Sequence, residues 1–216
     1  MSRKEHWETV YTKTDDTQVG WYQPDPEISF RLIEKASPGR GAVIDIGGGT
    51  SRLPEKLLDH GYKKIAVLDI SAAAVAKAKA RLSPRAHLIQ WIVGDITEVE
   101  QVGHFEVWHD RAVFHFLDEL SDRRRYVELA GHTLPKGGQL IIGTFAKDGP
   151  PRCSGLDVRR YDAASLAAEF GPDFRVVDET SHLHRTPSGK PQPFIFGSSG
   201  NRVGKNTHFW EHSAHI

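Results

Sequence analysis

The chain has 216 residues, a length that fits one domain with room for a sizeable core. Lys plus Arg (28) balances Asp plus Glu (28), so no whole-chain field draws in phosphate backbone or anionic lipid, and nucleic acid is not an expected partner. The lone Cys153 rules out an intrachain disulfide, no apolar run reaches the roughly 18 residues of a membrane span, and the polar start Met1 to His6 does not read as a secretory leader. A cytoplasmic location without membrane contact is expected, and no feature points to an oligomeric state.

In chain order, a polar segment bearing Trp7, Tyr11, Trp21 and Tyr22 comes first, over residues 1–24. Asp25-Pro26-Glu27 then predicts a helix N-cap at Asp25 with proline at the first helical position, and Ile28, Leu32, Ile33 and Ala36 follow at helical spacing. From there short apolar runs alternate with helical ones. Strands are expected over 42–46, 65–68, 88–93, 105–108 and 139–145, with helices over 51–60, 71–82, 121–133 and from Asp162. Two extended segments, 174–183 and 192–197, flank the turn Thr186-Pro187-Ser188-Gly189 and read as a hairpin. The expected fold is α/β: a doubly wound, Rossmann-like sheet of five parallel strands plus an antiparallel C-terminal hairpin, with helices on both faces. The main domain is expected over 25–197, with 198–216 as a tail.

The most informative stretch is Val43-Ile44-Asp45-Ile46-Gly47-Gly48-Gly49-Thr50-Ser51-Arg52, a buried strand running into a glycine loop and a helix. A dinucleotide loop needs a third glycine where Arg52 stands, and Asp45 aims a carboxylate at the crevice. That carboxylate suits a cofactor with cationic groups rather than a diphosphate. The run Asp45 to Gly49 resembles the first motif of class I methyltransferases that use S-adenosylmethionine (SAM). Later motifs are similar in order: Asp69-Ile70 ends the second strand, Asp95-Ile96 the third, and Leu134-Pro135-Lys136-Gly137-Gly138 leads into the fifth. The resemblance implies that Gly47 and Gly49 shape the loop, Asp69 beside Ile70 accepts the ribose hydroxyls, and Asp95 and Ile96 meet the adenine. It also implies that the aromatic start, with Tyr11, Trp21 and Tyr22, folds over the cofactor as a lid whose ring faces attract a sulfonium or an alkylammonium.

For the acceptor, the fourth strand is expected to deliver His109 and Asp110 to the ligand edge, with His115 behind them and Tyr22 facing them, as groups that orient or deprotonate a nucleophile. The alternative is a structural ion pair between Asp110 and Arg111, with His115 filling the core. Asp110-Arg111-Ala112-Val113-Phe114-His115 stands where elongation-factor and citrate-synthase lysine methyltransferases carry Asp-Lys-Gly-Thr-Phe-Asp or a close variant, a departure that favours a small-molecule acceptor over a protein side chain. A nicotinamide dehydrogenase and a non-catalytic SAM-binding module are the other readings. His208-Phe209-Trp210-Glu211-His212 matches a zinc-protease pattern but lies near the chain end among 12 histidines, so no metal is expected. Arg123-Arg124-Arg125 reads as a solvated helix face.

Overall fold

Apolar strands too short to fold alone are brought together here by helices that pack apolar stripes against both faces of the sheet. The computed structural model describes residues 1–202. In chain order its elements are α1 (Arg3–Lys13), α2 (Glu27–Ala36), β1 (Val43–Ile46), α3 (Leu53–Asp59), β2 (Ile65–Asp69), α4 (Ala72–Leu82), β3 (Ile89–Val93), β4 (Val107–Arg111), α5 (Leu120–Thr133), β5 (Gln139–Phe145), a small hairpin of β6 (Arg152–Cys153) and β7 (Leu156–Asp157), α6 (Ala163–Phe170), β8 (Phe174–Arg185) and β9 (Pro191–Asn201). The main sheet has the order β3-β2-β1-β4-β5-β9-β8. Its first five strands are parallel, and β9 runs antiparallel between β5 and β8. The strand order reverses beside β1, which opens a crevice at the carboxyl ends of β1 and β4.

Two apolar layers enclose the sheet. On one face Ile33 of α2 and Leu57 of α3 meet Val43, Val67, Val107 and Ile141; on the other, Tyr126 and Leu129 of α5 and Phe170 of α6 meet Ile44, Trp108 and Ile142. Ile33, Leu57, Val43 and Val107 are each 0% exposed, and full burial of such a side chain contributes roughly 1.5–3 kcal/mol.

Several boundaries differ from the sequence expectation. The N-cap of α2 is Pro26 and makes no side-chain hydrogen bond, because the Asp25 carboxylate instead takes Lys56 Nζ at 2.6 Å. The fourth strand lies two residues later than expected: the Phe105 amide bonds Thr133 O outside the sheet, and the ladder starts where Val107 N reaches Ala42 O. The last strand runs on to Asn201, and Ser198 to Gly200 pair with Ile141 to Gln139, so the sheet extends past the expected end of the domain at 197. The start of the chain forms α1, closed by a capping box in which Ser2 and Glu5 exchange hydrogen bonds. Arg123 is not solvated: at 6% exposed, it bonds Glu169 and the Leu117 and Asp118 carbonyls, whereas Arg124 and Arg125 are exposed.

Candidate active site

The crevice is divided into two adjoining cavities that share Tyr11, Trp21, Gly47 and Arg111. The first, about 710 Å³ with the open space at its mouth included, is lined by Ile46, Asp69, Ile70, Asp95 and Ile96 and by Trp7 and Phe116. The second, about 520 Å³, is bordered by Asp45, Gly48, Tyr22 and His109.

Glycine is required in the loop after β1. Gly47 and Gly49 have φ of +64° and +47°, and a Cβ on Gly48 would come within 2.7 Å of Asp45 Oδ2 and 2.8 Å of Val67 Cγ1. A Cβ on Gly49 would lie 2.6 Å from the Tyr11 hydroxyl and 3.1 Å from Asp69 Oδ2, which places those two groups against the loop. Asp69 ends β2, is 4% exposed, and accepts the Ser71 amide at 2.8 Å. Burial pushes its carboxyl up to about 7, while the Ser71 and Gly49 amides act against the rise and Asp45 and Glu8 add to it.

The first helix lies across this edge. Glu8 accepts Ser71 Oγ at 2.7 Å and Ala73 N at 3.1 Å, putting a carboxylate at the N-terminus of α4, where unpaired amides and the helix dipole favour it. Arg3 bridges Asp95 at 3.0 Å and Asp122 at 2.5 Å. Trp7 meets Trp21 and Phe116 edge-on, with centroids 5.6 and 5.0 Å apart. Asp95 also accepts the Thr97 amide and hydroxyl, which orients its carboxylate beside Ile96.

Neighbours in register on β1 and β4, Asp45 and His109 form a buried pair: His109 Nδ1 donates to Asp45 Oδ1 at 2.7 Å, and the two residues are 2% and 3% exposed. Among the described residues Asp45 Oδ2 and His109 Nε2 have no hydrogen-bond partner. Both residues border the second cavity, so a ligand there can meet a carboxylate oxygen and an imidazole nitrogen.

Asp110 is elsewhere. Its side chain leaves the opposite face of β4, is 0% exposed, borders neither cavity, and accepts Val113 N, Phe114 N and the Tyr126 hydroxyl at 2.9, 3.1 and 2.6 Å. It therefore fixes the turn after β4 and faces neither cavity; strand alternation sends His109 and Asp110 to opposite sides. Nor does Asp110 pair with Arg111, whose Nη1 donates to Trp21 O at 3.0 Å. His115 is also buried away from both cavities, and burial lowers it to about 3.

The sequence reading placed Asp45, Gly47, Gly49, Asp69, Ile70, Asp95, Ile96, Tyr11, Trp21, Tyr22 and His109 at the ligand edge, and all border one or the other cavity except Gly49, which lies beneath Tyr11 and Asp69. It missed Arg3, Glu8 and Arg111. The capping pattern Ser2-Arg3-Lys4-Glu5 signalled a helix there. Among the described residues no cluster suits a metal ion and no helix is long and apolar enough to cross a membrane; the pattern His208 to His212 lies outside them. The open acceptor on Asp45, the buried carboxyl of Asp69 and the glycine loop fit a ligand with an ammonium, a diol and no diphosphate, which describes SAM.

Comparison with known proteins agrees with that fit. Residues 43–138 match the family model described as methyltransferase domain. The eEF1A lysine and N-terminal methyltransferase of Danio rerio is 26% identical over 152 residues, covering 68% of this chain and 22% of that protein, so the chain spans little more than a fifth of that relative's length. Among solved structures, one concerned with conversion of a disulfide bond into a thioacetal group during echinomycin biosynthesis aligns with a TM-score of 0.75, 18% identity and coverage of 93% and 94% of the two chains. The N-methyltransferase NodS from Bradyrhizobium japonicum WM9, in complex with S-adenosyl-L-homocysteine (SAH), aligns with a TM-score of 0.70, 16% identity and coverage of 93% and 99%. Residues 43–138 thus match a methyltransferase domain, and the chain has the Rossmann-like fold of the methyltransferase structures it resembles.

Proposed function

We propose that the chain transfers a methyl group from SAM to a small-molecule acceptor, with residues 1–24 as the lid of the reaction chamber. The observation that carries this reading is the aromatic wall: Trp7, Tyr11 and Trp21 line the cavities beside Asp69 and His109, where their ring faces can close around a small acceptor. The N-methyltransferase NodS, similar in fold, agrees with it.

When bound, SAM supplies a methyl group already activated by a sulfonium leaving group. The protein then has to orient the acceptor, exclude water and accept a proton if the nucleophile begins protonated. In this reading Asp69, beside Ile70, accepts the ribose hydroxyls, Asp95 and Ile96 meet the adenine, and the free oxygen of Asp45 takes the ammonium. Gly47 and Gly49 keep the loop low enough for close approach. Tyr11 and Trp21 present ring faces to the sulfonium. Tyr22 borders the acceptor, and His109, held through Nδ1 by Asp45, offers Nε2 to its proton. Asp110, locked by three donors, positions β4 instead of acting on the acceptor.

A protein side chain is the second reading, favoured by the sequence match to the eEF1A lysine and N-terminal methyltransferase of Danio rerio. Incubating the protein with methyl-labelled SAM in an extract separated into metabolites and proteins decides between them. Label in the metabolite fraction is expected, lost in His109→Gln while SAH binding persists. Label in protein favours the second reading, and label in neither leaves a SAM-binding module without transfer.

A further inference from the structure

Arg111 ends β4 and borders both cavities. Its guanidinium lies 4.7 Å over the Phe194 ring, and Nη1 donates to Trp21 O. The two remaining nitrogens, Nε and Nη2, are shielded from solvent and have no partner among the described residues. Those two carry the parallel N–H donors along one edge of the guanidinium, the edge that matches both oxygens of a carboxylate. No carboxylate makes an ion pair with it among the described residues; the Coulombic neighbour Asp45 gives Oδ1 to His109. Burial lowers Arg111 to about 10, so it stays charged at neutral pH, and its charge helps keep the neighbouring His115, His182 and His184 neutral. A buried cation with a free bidentate edge is costly unless an anion completes it.

We propose that Arg111 is a carboxylate anchor at the seam between the two cavities, its Nε and Nη2 edge holding both oxygens of a ligand carboxylate. The proposal rests on the methyl-transfer reading. Two ligands could present the group: the methionyl end of the cofactor, or an acceptor that carries a carboxylate of its own.

Calorimetric titration of the full chain and of Arg111→Gln separates them, with thermal unfolding recorded for both so that binding is compared between folded proteins. The titrants are SAH, 5′-methylthioadenosine, which has the same nucleoside and sulfur but no carboxylate, and benzoate added to the SAH complex. If the anchor serves the cofactor, Arg111→Gln weakens SAH by about 10- to 100-fold, the scale of a charge-assisted pair, and leaves 5′-methylthioadenosine unchanged. If it serves the acceptor, SAH binds both proteins alike and benzoate binds only the wild-type complex. Equal SAH affinity with no benzoate difference overturns the anchor while methyl transfer stands. Wild-type protein that binds neither nucleoside overturns the SAM reading, and the anchor with it. Should Arg111→Gln fail to fold, Arg111→Lys, which keeps the charge but loses the bidentate edge, takes its place in the same titrations, with the same outcomes for and against the anchor.

Discussion

Replacing Asp69 by Asn is expected to stabilise the ligand-free protein at neutral pH while weakening its hold on SAH. The carboxyl sits near pH 7 in the folded chain because burial disfavours its charge, against 3.8 for an aspartate in water. Between those values the folded chain keeps a proton that the unfolded chain has released, so stability falls as pH rises through the window and the full penalty is present above about pH 7. Three pH units at about 1.4 kcal/mol each put that penalty at about 4 kcal/mol. Asn keeps one oxygen for the Ser71 or Gly49 amide and leaves the other amide without an acceptor, which takes back about 1–3 kcal/mol. Urea unfolding without ligand should therefore show Asp69→Asn more stable than wild type by about 1–3 kcal/mol at pH 8, with the gain lost by pH 4. Calorimetry should show SAH binding tightening between pH 6 and 8 in the wild type, and in the variant an affinity that does not change with pH and is about 10- to 100-fold weaker than wild type at pH 8. Parallel pH profiles for the two proteins would refute a proton-holding carboxyl at this position.

Glu8→Ala should release α1 from the start of α4; faster hydrogen exchange over residues 3–13 and SAH affinity several-fold weaker are expected, and unchanged protection would contradict the docking. Tyr126→Phe strands the Trp108 indole N–H and removes one donor from Asp110, so urea unfolding should show a loss of about 1–3 kcal/mol with SAH affinity retained. Gly47→Ala combines a positive φ with a Cβ that collides with Val113, and SAH binding should be abolished in a chain whose circular dichroism stays near native; wild-type affinity would mean the loop tolerates a side chain.

The strand-loop-helix unit around Asp45 to Gly49 was legible because everything that defines it is local: four buried residues in a row, then glycines where only glycine fits. Asp69 and Asp95 followed from their places at strand ends. His109 and Asp110 were both offered as acceptor residues because the sequence does not settle where β4 begins; once the ladder starts at Val107, alternation separates them. The first helix escaped notice because it carries no apolar stripe. Its hold on the domain comes from Arg3 and Glu8 reaching residues some 60 to 120 positions away, contacts that no local pattern encodes. Arg111 looked like half of an ion pair with its neighbour, and only the fold shows that the two side chains part company.

The parity of β4 makes the chemistry of the crevice a matter of counting. His109 and Arg111 share one face with Asp45, while Trp108 and Asp110 join Tyr126 on the other. Inserting or deleting one residue between Phe105 and Val107 would turn the strand over. An indole and a bound carboxylate would then face the ligand, and an imidazole and a guanidinium would be driven into the layer beneath α5. Substitutions along β4 can therefore be accommodated one at a time, but a single-residue change in length would exchange the whole set of reactive groups at once.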